Sequence, residues 1–542
     1  MKKLIFIFAL LCGSAFGTTR YIAQSAGTFS GGTACNGQTA ITAATFNATS
    51  LTAGDIAYIC GTITGSTGTS LIVPHNGGSS GNNIQILFDT SATLTATYWG
   101  TGGAIDLAGL SYVLVDGSPG SNCGWVAQAE VTCNGTITAS ANTTSTNNQP
   151  SYGVELSGSS NIEVRGLNIT NMLVQTKNSS TQGNNSTVLI DITNSTTILV
   201  HNNYGHDAHA GYQVQWSSGT SGPITIYNNV SANACEGYVA ASGGSSPALS
   251  SLVIHDNESK DGNNWDSPAV DDYCHEDHFH AWAEAGGNGG TVTGMQVYNN
   301  TFHGDLGCNQ NGYIYFEADV GENTSPLYFN NLLINTSSNA SCPSGLQATP
   351  ASGYIGLKGG GSGGGCAGTT GVYNNTIVGN ITTATNGNNF GIFLENGCAG
   401  VDARNNLVDT DNTNIVLNSA GDSFSILNYT DYYNFPTSGG CGAFYNHSCG
   451  SIYTIAAWHT ATGLDANSIN SNPNLSASYA PNLGSPLIQA GVNLTSLSIT
   501  ALNTDECGNS RPLSAAWDIG ACQYASGGPP LPPTGLTATV SP

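Results

Sequence analysis

The residues best able to do chemistry are concentrated in Asp277-His278-Phe279-His280-Ala281-Trp282-Ala283-Glu284 and in three shorter runs downstream of it. Read as a strand, whose successive side chains point to opposite faces, the first run buries Phe279, Ala281 and Ala283 and displays His278, His280, Trp282 and Glu284. Tyr313-Ile314-Tyr315-Phe316-Glu317-Ala318-Asp319 likewise buries Ile314, Phe316 and Ala318 and displays Tyr313, Tyr315, Glu317 and Asp319. Tyr354-Ile355-Gly356-Leu357-Lys358 and Gly391-Ile392-Phe393-Leu394-Glu395 complete the set. Aligned on their apolar positions, the runs place Trp282, Glu317, Lys358 and Glu395 in one column and His280, Tyr315, Gly356 and Phe393 in the next.

Such a surface could cleave or bind a glycan. Neighbouring strands lie ~4.8 Å apart, so Glu284 beside Asp319 would have the ~5 Å separation of a retaining glycosidase pair. Glu317 and Glu395, two strands apart at roughly 9.6 Å, come near the upper end for an inverting pair. β-Elimination from a uronic acid needs instead a base for the C5 proton, a cation to neutralise the carboxylate and an acid for the leaving oxygen. His280, Tyr315 and Lys358 are groups of those types. Lys358 lies between two glutamates, which favours its protonated form and suits charge neutralisation better than proton abstraction. The bland alternative is a solvated column in which Lys358 bridges Glu317 and Glu395. The displayed rings Trp282, Tyr313, Tyr354 and Phe393, with His278 and Glu395, are expected to bind substrate, because bare aromatic surface is costly and matches the apolar faces of sugars. Asp271, Asp272 and Asp277 offer hard oxygen donors that suit Ca²⁺, whereas His275, His278 and His280 would suit a transition metal.

A repeat is what would hold these runs side by side. Leu199-Val200-His201-Asn202-Asn203 returns as Thr225-Ile226-Tyr227-Asn228-Asn229, Val253-Ile254-His255-Asp256-Asn257 and Gln296-Val297-Tyr298-Asn299-Asn300. Further copies are Tyr328-Phe329-Asn330-Asn331, Val372-Tyr373-Asn374-Asn375 and Ala403-Arg404-Asn405-Asn406. Counted from the second Asn, the steps are 26, 28, 43, 31, 44 and 31 residues. Short strands at this spacing, with almost no helical periodicity, signal a solenoid whose longer rungs carry insertions. Asparagines at one turn of successive rungs can form a ladder of side-chain amides. The insertion after Asn257 holds Asp261, Asp266, Asp271, Asp272, His275 and Glu276, so an acidic wall is expected beside His278 and His280.

The 542-residue chain has 71 glycines, 8% charged residues and a formal net charge of -24. Nine Lys and Arg make it a poor nucleic-acid binder, because phosphate neutralisation needs clustered cations. Residues 1–17 carry two lysines, an apolar run and small residues at the end, which reads as a secretory signal. Of fifteen cysteines, Cys12 lies in that segment, and the even remainder fits a disulfide framework. The sequence alone does not fix the pairing, but the rung register puts Cys235 with Cys274, Cys308 with Cys342 and Cys366 with Cys398 in equivalent places of neighbouring rungs, and Cys35 with Cys60, Cys123 with Cys133, Cys441 with Cys449 and Cys507 with Cys522 are expected to complete seven local pairs. The expected organisation is an N-terminal cap and first rungs over 18–100, the coil over 101–430, a C-terminal capping segment over 431–525 and a proline-rich linker over 526–542.

Several stretches outside the repeat carry a resemblance. Arg20-Tyr21-Ile22-Ala23 with Ala53-Gly54-Asp55-Ile56, Gly109-Leu110-Ser111-Tyr112-Val113-Leu114-Val115-Asp116-Gly117, Gly484-Ser485-Pro486-Leu487 and Asp518-Ile519-Gly520-Ala521 are the marks. With the repeat, they make nearly the whole chain resemble a secreted right-handed parallel β-helix protein of the pectate-lyase-like superfamily. The resemblance implies an all-β, single-stranded solenoid and, because that fold serves lyases, hydrolases, epimerases and adhesins, says little about activity. Lyases of the superfamily commonly set a lysine or arginine base beside Ca²⁺. No stretch here matches a particular lyase signature, so no catalytic role transfers. The expectation is a monomeric extracellular enzyme acting on a polysaccharide, with β-elimination slightly ahead of hydrolysis. A surface adhesin or glycan-binding β-helix is the alternative.

Overall fold

The computed structural model describes residues 17–176, 183–243, 248–265, 274, 276–283, 291–308, 310–317, 325–337, 350–359, 366, 370–379, 389–411, 413–435, 442–447 and 452–525. Strand after strand pairs in parallel with the strand one rung further on, which makes the fold an all-β parallel β-helix. One face of the coil stacks thirteen strands, among the described residues, from Thr19–Ile22 to Phe424–Asn428. A second face runs through Leu167–Thr170, Glu258–Lys260, Thr301–Gly304, Leu332–Asn335 and Thr376–Gly379. The third runs through Ser151–Glu155, Thr187–Thr193, Glu276–Ala283, Gln310–Glu317, Ile355–Lys358 and Ile392–Glu395. Two long strands, Tyr204–Trp216 and Val230–Ser242, belong to both the second and third faces. Each contains a residue in the left-handed region, Asp207 at φ 61° and Asn233 at φ 51°. Asp and Asn tolerate that conformation better than other side chains, so the chain turns a corner there without losing its pairing.

The paired asparagines of the repeat have two separate jobs. The first of each pair, or Asp256 in its place, takes φ 50–61° and makes the turn. The second is fully buried, and Asn203, Asn229, Asn257, Asn300, Asn331, Asn375 and Asn406 form the expected ladder. Each Nδ2 donates to the next Oδ1 at 2.9–3.1 Å. The same oxygen accepts the backbone N–H of the preceding rung's asparagine at 2.9–3.1 Å. An amide carries both the donors and the acceptor that this requires.

Inside the coil the apolar positions stack by type. Tyr212, Tyr238, Phe279, Ile314, Ile355 and Ile392 share one register line and all belong to the core. On the outside of the first face, the residue before each asparagine pair forms a second stack: His201, Tyr227, His255, Tyr298 and Phe329 follow one another at 4.5, 5.2, 4.9 and 4.6 Å with nearly parallel rings. The C-terminal segment returns along this flank. Its Leu494, Leu502 and Trp517 pack on Phe329 and Tyr373, and Thr301 Oγ1 donates to Glu506 Oε1 at 2.9 Å.

Among the described residues, five disulfides join Cys35 to Cys60, Cys123 to Cys133, Cys235 to Cys274, Cys366 to Cys398 and Cys507 to Cys522. Cys235–Cys274 and Cys366–Cys398 are pairs expected from the rung register, and the other three are the expected local pairs. Cys342, Cys441 and Cys449 lie outside the described residues. No helix among the described residues is long and apolar enough to cross a membrane.

Candidate functional site

The two columns read from the sequence are present on the third face. Pairing runs His280↔Tyr315↔Gly356↔Phe393 in one and Trp282↔Glu317↔Lys358↔Glu395 in the other. Alternation of apolar residues fixes this register, because a slip by one would turn Phe279, Ile314, Ile355 and Ile392 out of the core.

Alternation fails one position earlier, and three expectations need correcting. His278, Tyr313 and Tyr354 are not displayed rings but fully buried ones. Tyr313 and Ile314, and Tyr354 and Ile355, are consecutive residues that both belong to the core. A pleated strand cannot do this; the chain is still turning the corner from the second face, and the pairing shifts register between Glu276 and Asp277. His278 therefore sits against Phe302 at 5.7 Å and Tyr313 at 4.7 Å, with Nδ1 2.9 Å from Ser259 Oγ. Burial drives its pKa well below the ordinary histidine value, so it is a neutral core residue. Phe393 is covered as well, 7% exposed and stacked on Phe390 at 5.4 Å, so it is not a bare platform for a sugar. Trp282 is half-buried against the His280 ring at 4.5 Å. Glu284, Asp319, Asp271 and Asp272 lie outside the described residues.

His280, Tyr315, Glu317, Lys358 and Glu395 converge. Glu317 is the hub: Lys358 Nζ forms an ion pair with its Oε1, Tyr315 OH donates to the same oxygen at 2.8 Å, and His280 Nε2 lies 3.8 Å from Oε2. Burial alone would raise the Glu317 pKa, but His280, Lys358 and Tyr315 together hold it well below the usual carboxylate range. Glu395 moves the opposite way. Burial raises it, Glu317 adds repulsion, and Lys358 and Tyr315 offset this in part.

The side chains lean together more than the backbone implies. Tyr315 OH is 2.8 Å from Glu317 Oε1 and 3.4 Å from Glu395 Oε1, so those oxygens are separated by at most the sum of the two, about 6.2 Å. The roughly 9.6 Å expected from two strand spacings described the backbone and missed this convergence. At the shorter distance the pair approaches the ~5 Å of retaining glycosidases more closely than the upper inverting range.

His280 is not a free base. Its Nδ1 is 3.2 Å from Glu236 Oε1 and 3.5 Å from Asp277 Oδ2. Burial would lower its pKa, but Glu236, Glu317 and the Asp277 charge reverse this and raise it to about 10. At neutral pH it is an imidazolium among three carboxylates. Tyr315 is likewise kept protonated, pushed well above the ordinary phenol value by burial and by Glu317. Asp277 is buried and accepts the Gly312 N–H at 2.6 Å, so it belongs to this buried cluster and not to a solvated acidic loop. Glu236, Asp277 and His280 bring ligand atoms within 4.8 Å of one another and could hold a divalent cation after loss of the His280 proton.

Three further carboxyls, Asp106, Glu155 and Asp191, stand in the His280 column. Glu155 pairs with Asp191 on the next rung, and Asp191 with Gln213 on the one after. Asp191 accepts from Gln213 Nε2 at 2.7 Å and from Thr193 Oγ1 at 2.8 Å, while Glu155 Oε2 is buried with no hydrogen-bond partner among the described residues. Burial and the neighbouring Asp191 raise Glu155 to about 9, so this pair carries a proton at neutral pH. Neither Glu236 nor this pair was singled out from the sequence. Extending the alternation backwards through Val154-Glu155, Ile190-Asp191 and Tyr212-Gln213 would have found the latter.

No family model matches the chain, and no curated protein does. Among solved structures it is similar to pectate lyase Pel9A, at 12% identity and a TM-score of 0.39 over 95% of this chain and 98% of that one. It is also similar to a GH136 lacto-N-biosidase from Eubacterium ramulus, at 10% identity and 0.38 over 84% and 67% of the two chains. A third, DFA-IIIase from Arthrobacter chlorophenolicus A6, is 11% identical with a TM-score of 0.29 over 69% and 77%. Likenesses this distant bear on no individual residue; the parallel β-helix rests on the strand register itself.

Proposed function

We propose that this protein is an extracellular polysaccharide-active enzyme that hydrolyses glycosidic bonds, with Glu317 as the carboxylate and Glu395 as the acid. The observation that carries the reading is the Tyr315 hydroxyl shared between the two, which holds them within about 6.2 Å of each other. Environments that push two carboxyls in opposite directions divide the labour of acid and base between them. Glu317, ionised and part-exposed, would face the anomeric carbon and stabilise its positive charge; Glu395 would protonate the departing oxygen. Lys358 and His280 keep Glu317 ionised through the cycle. Trp282, beside His280, is the ring left to meet a sugar.

The protonation states weigh against β-elimination. His280 and Tyr315, the groups expected to supply its base, are both held in their protonated forms, and Lys358 is paired with Glu317. Five disulfides fit an oxidising compartment, in keeping with export. Ca²⁺ binding by Asp277 with Asp271 and Asp272 stands as a proposal. Incubation with plant, algal and microbial glycans, read both by new reducing ends and by absorbance of unsaturated products, tests the function. New reducing ends without unsaturated product are expected. Unsaturated product would make the enzyme a lyase, and retardation in affinity gels without either signal would make it a binding protein.

A further inference from the structure

The first face carries a polar recess of about 310 Å³, away from Glu317, lined by Asp116, Ser121, Asn122, Arg165, His201 and Asn202. Its floor is the head of the outer stack. Asp116, Arg165 and His201 are aligned on three successive rungs, and His201 turns one ring face to Tyr227 at 4.5 Å. Both nitrogens of His201 are engaged, Nδ1 with Asn202 Oδ1 at 2.8 Å and Nε2 with Glu163 Oε1 at 3.1 Å, so the ring cannot rotate freely. Arg165 gives Nε to Asp116 Oδ2 at 3.0 Å and Nη1 to Glu163 Oε1 at 2.6 Å. Its Nη2 has no partner among the described residues.

The wall is a stapled loop. Cys123 and Cys133 close it, and Asn202 Nδ2 donates to the Cys123 carbonyl at 2.9 Å. Trp125 packs on Val230 and Ala232, and its backbone N–H donates to the Asn228 carbonyl at 2.9 Å. The recess is thus formed before any ligand arrives, which lowers the ordering cost of binding. Ser121 and Asn122 at its rim are exposed and make no side-chain hydrogen bond among the described residues. The recess therefore offers donors from Arg165, Asn122 and Ser121 and acceptors from Asp116 and Asn122, the mixture that sugar hydroxyls need. Two carboxylates, Asp116 and Glu163, surround one guanidinium, so an anionic ligand is disfavoured. The volume lies at the small end of ligand pockets and suits a single ring.

We infer that this recess is an accessory site that holds one neutral sugar ring of a glycan, separate from the carboxylates on the third face. The inference rests on the glycan reading above, and its test is kept apart from turnover. Protein carrying Glu317→Gln is titrated with methyl galactoside, methyl glucoside, methyl N-acetylglucosaminide and galacturonate, followed by saturation-transfer NMR. The same background carries Ser121→Trp, which fills the recess from an exposed loop position without touching the ion pairs, or Arg165→Met. At least one neutral glycoside is expected to bind, with affinity falling tenfold or more in both variants, and galacturonate is expected to bind more weakly. Equal binding in Ser121→Trp, a preference for galacturonate, or no binding of any neutral glycoside would overturn the site. If binding is lost in Ser121→Trp but the wild type cleaves no glycan, the hydrolase reading falls and the site stands.

Discussion

Replacing Asn300 by Asp tests whether the amide ladder holds the coil together through the direction of its hydrogen bonds. Asn300 Nδ2 donates to Asn331 Oδ1 at 3.0 Å and to the Ile254 carbonyl at 3.1 Å. Its Oδ1 accepts the backbone N–H of Asn257 at 3.1 Å and the Asn257 Nδ2 at 3.0 Å. Asp has nearly the same volume, so no cavity opens and the acceptor side survives. What changes is that an oxygen now faces two buried acceptors. Asn331 Oδ1 still accepts the Asn300 backbone N–H, so the group left without a donor is the new buried oxygen, and Asn300→Asp should lose about 1–3 kcal/mol or more at neutral pH. A protonated carboxyl restores one donor, so the loss should shrink as pH falls. Asn122→Asp, on an exposed loop, should stay within about 0.5 kcal/mol of wild type. Urea unfolding at pH 7 and pH 4, compared at constant m-value, reads both. A loss below about 1 kcal/mol at pH 7, or one no larger than that of Asn122→Asp, would refute the ladder's role.

Three other outcomes follow from the same structure. Glu155 is raised from the usual 4.5 to about 9, so the folded protein holds a proton there that the unfolded chain releases. Its stabilisation is complete below about pH 4.5 and is lost as pH rises towards 9, at up to about 1.4 kcal/mol per pH unit; Glu155→Gln should flatten that slope in melts across pH, and an unchanged slope would remove the proton from this pair. Lys358→Met should barely move the melting curve, because both partners are about a third exposed and such pairs contribute about 0–1 kcal/mol, yet it should cut turnover by about 100-fold or more; equal activity would reduce the column to a solvated ion pair. Thermal melts with Ca²⁺ and with EDTA should differ, Ca²⁺ raising the midpoint; no shift over a wide Ca²⁺ range would remove Asp277 from the Ca²⁺ ligands and leave it a structural partner of His280 and Gly312.

The repeat and the register were legible because both depend on local periodicity. Pairs such as Asn299-Asn300 and Asn374-Asn375 recur once per rung, and the alternation of Phe279 with His280 or Ile314 with Tyr315 carries through four strands. What the sequence hid arises where period two breaks. The corner before Phe279 places His278, Tyr313 and Tyr354 inside, and nothing in their composition distinguishes them from His280 and Tyr315. Distances between columns were also illegible, since the lean of Glu317 and Glu395 towards one phenol depends on side-chain torsions and not on strand spacing. Glu236 went unnoticed because it stands two residues before Tyr238 at the start of the third face, among Ala234, Cys235 and Gly237, where the sequence shows no polar pattern.

Paired assays of wild type, Glu317→Gln and Glu395→Gln, on whichever glycan yields new reducing ends, test most directly whether these two carboxyls cleave the glycosidic bond. Both variants should remain folded, Glu317→Gln melting somewhat lower because the pairing of its carboxylate with His280 and Lys358 is lost, and both should lose about 10²–10⁴-fold in kcat. On a nitrophenyl glycoside of the same sugar, whose leaving group needs no proton, Glu395→Gln should recover most of its activity and Glu317→Gln should not. Wild-type turnover in either variant, or recovery by Glu317→Gln in place of Glu395→Gln, would contradict the assignment.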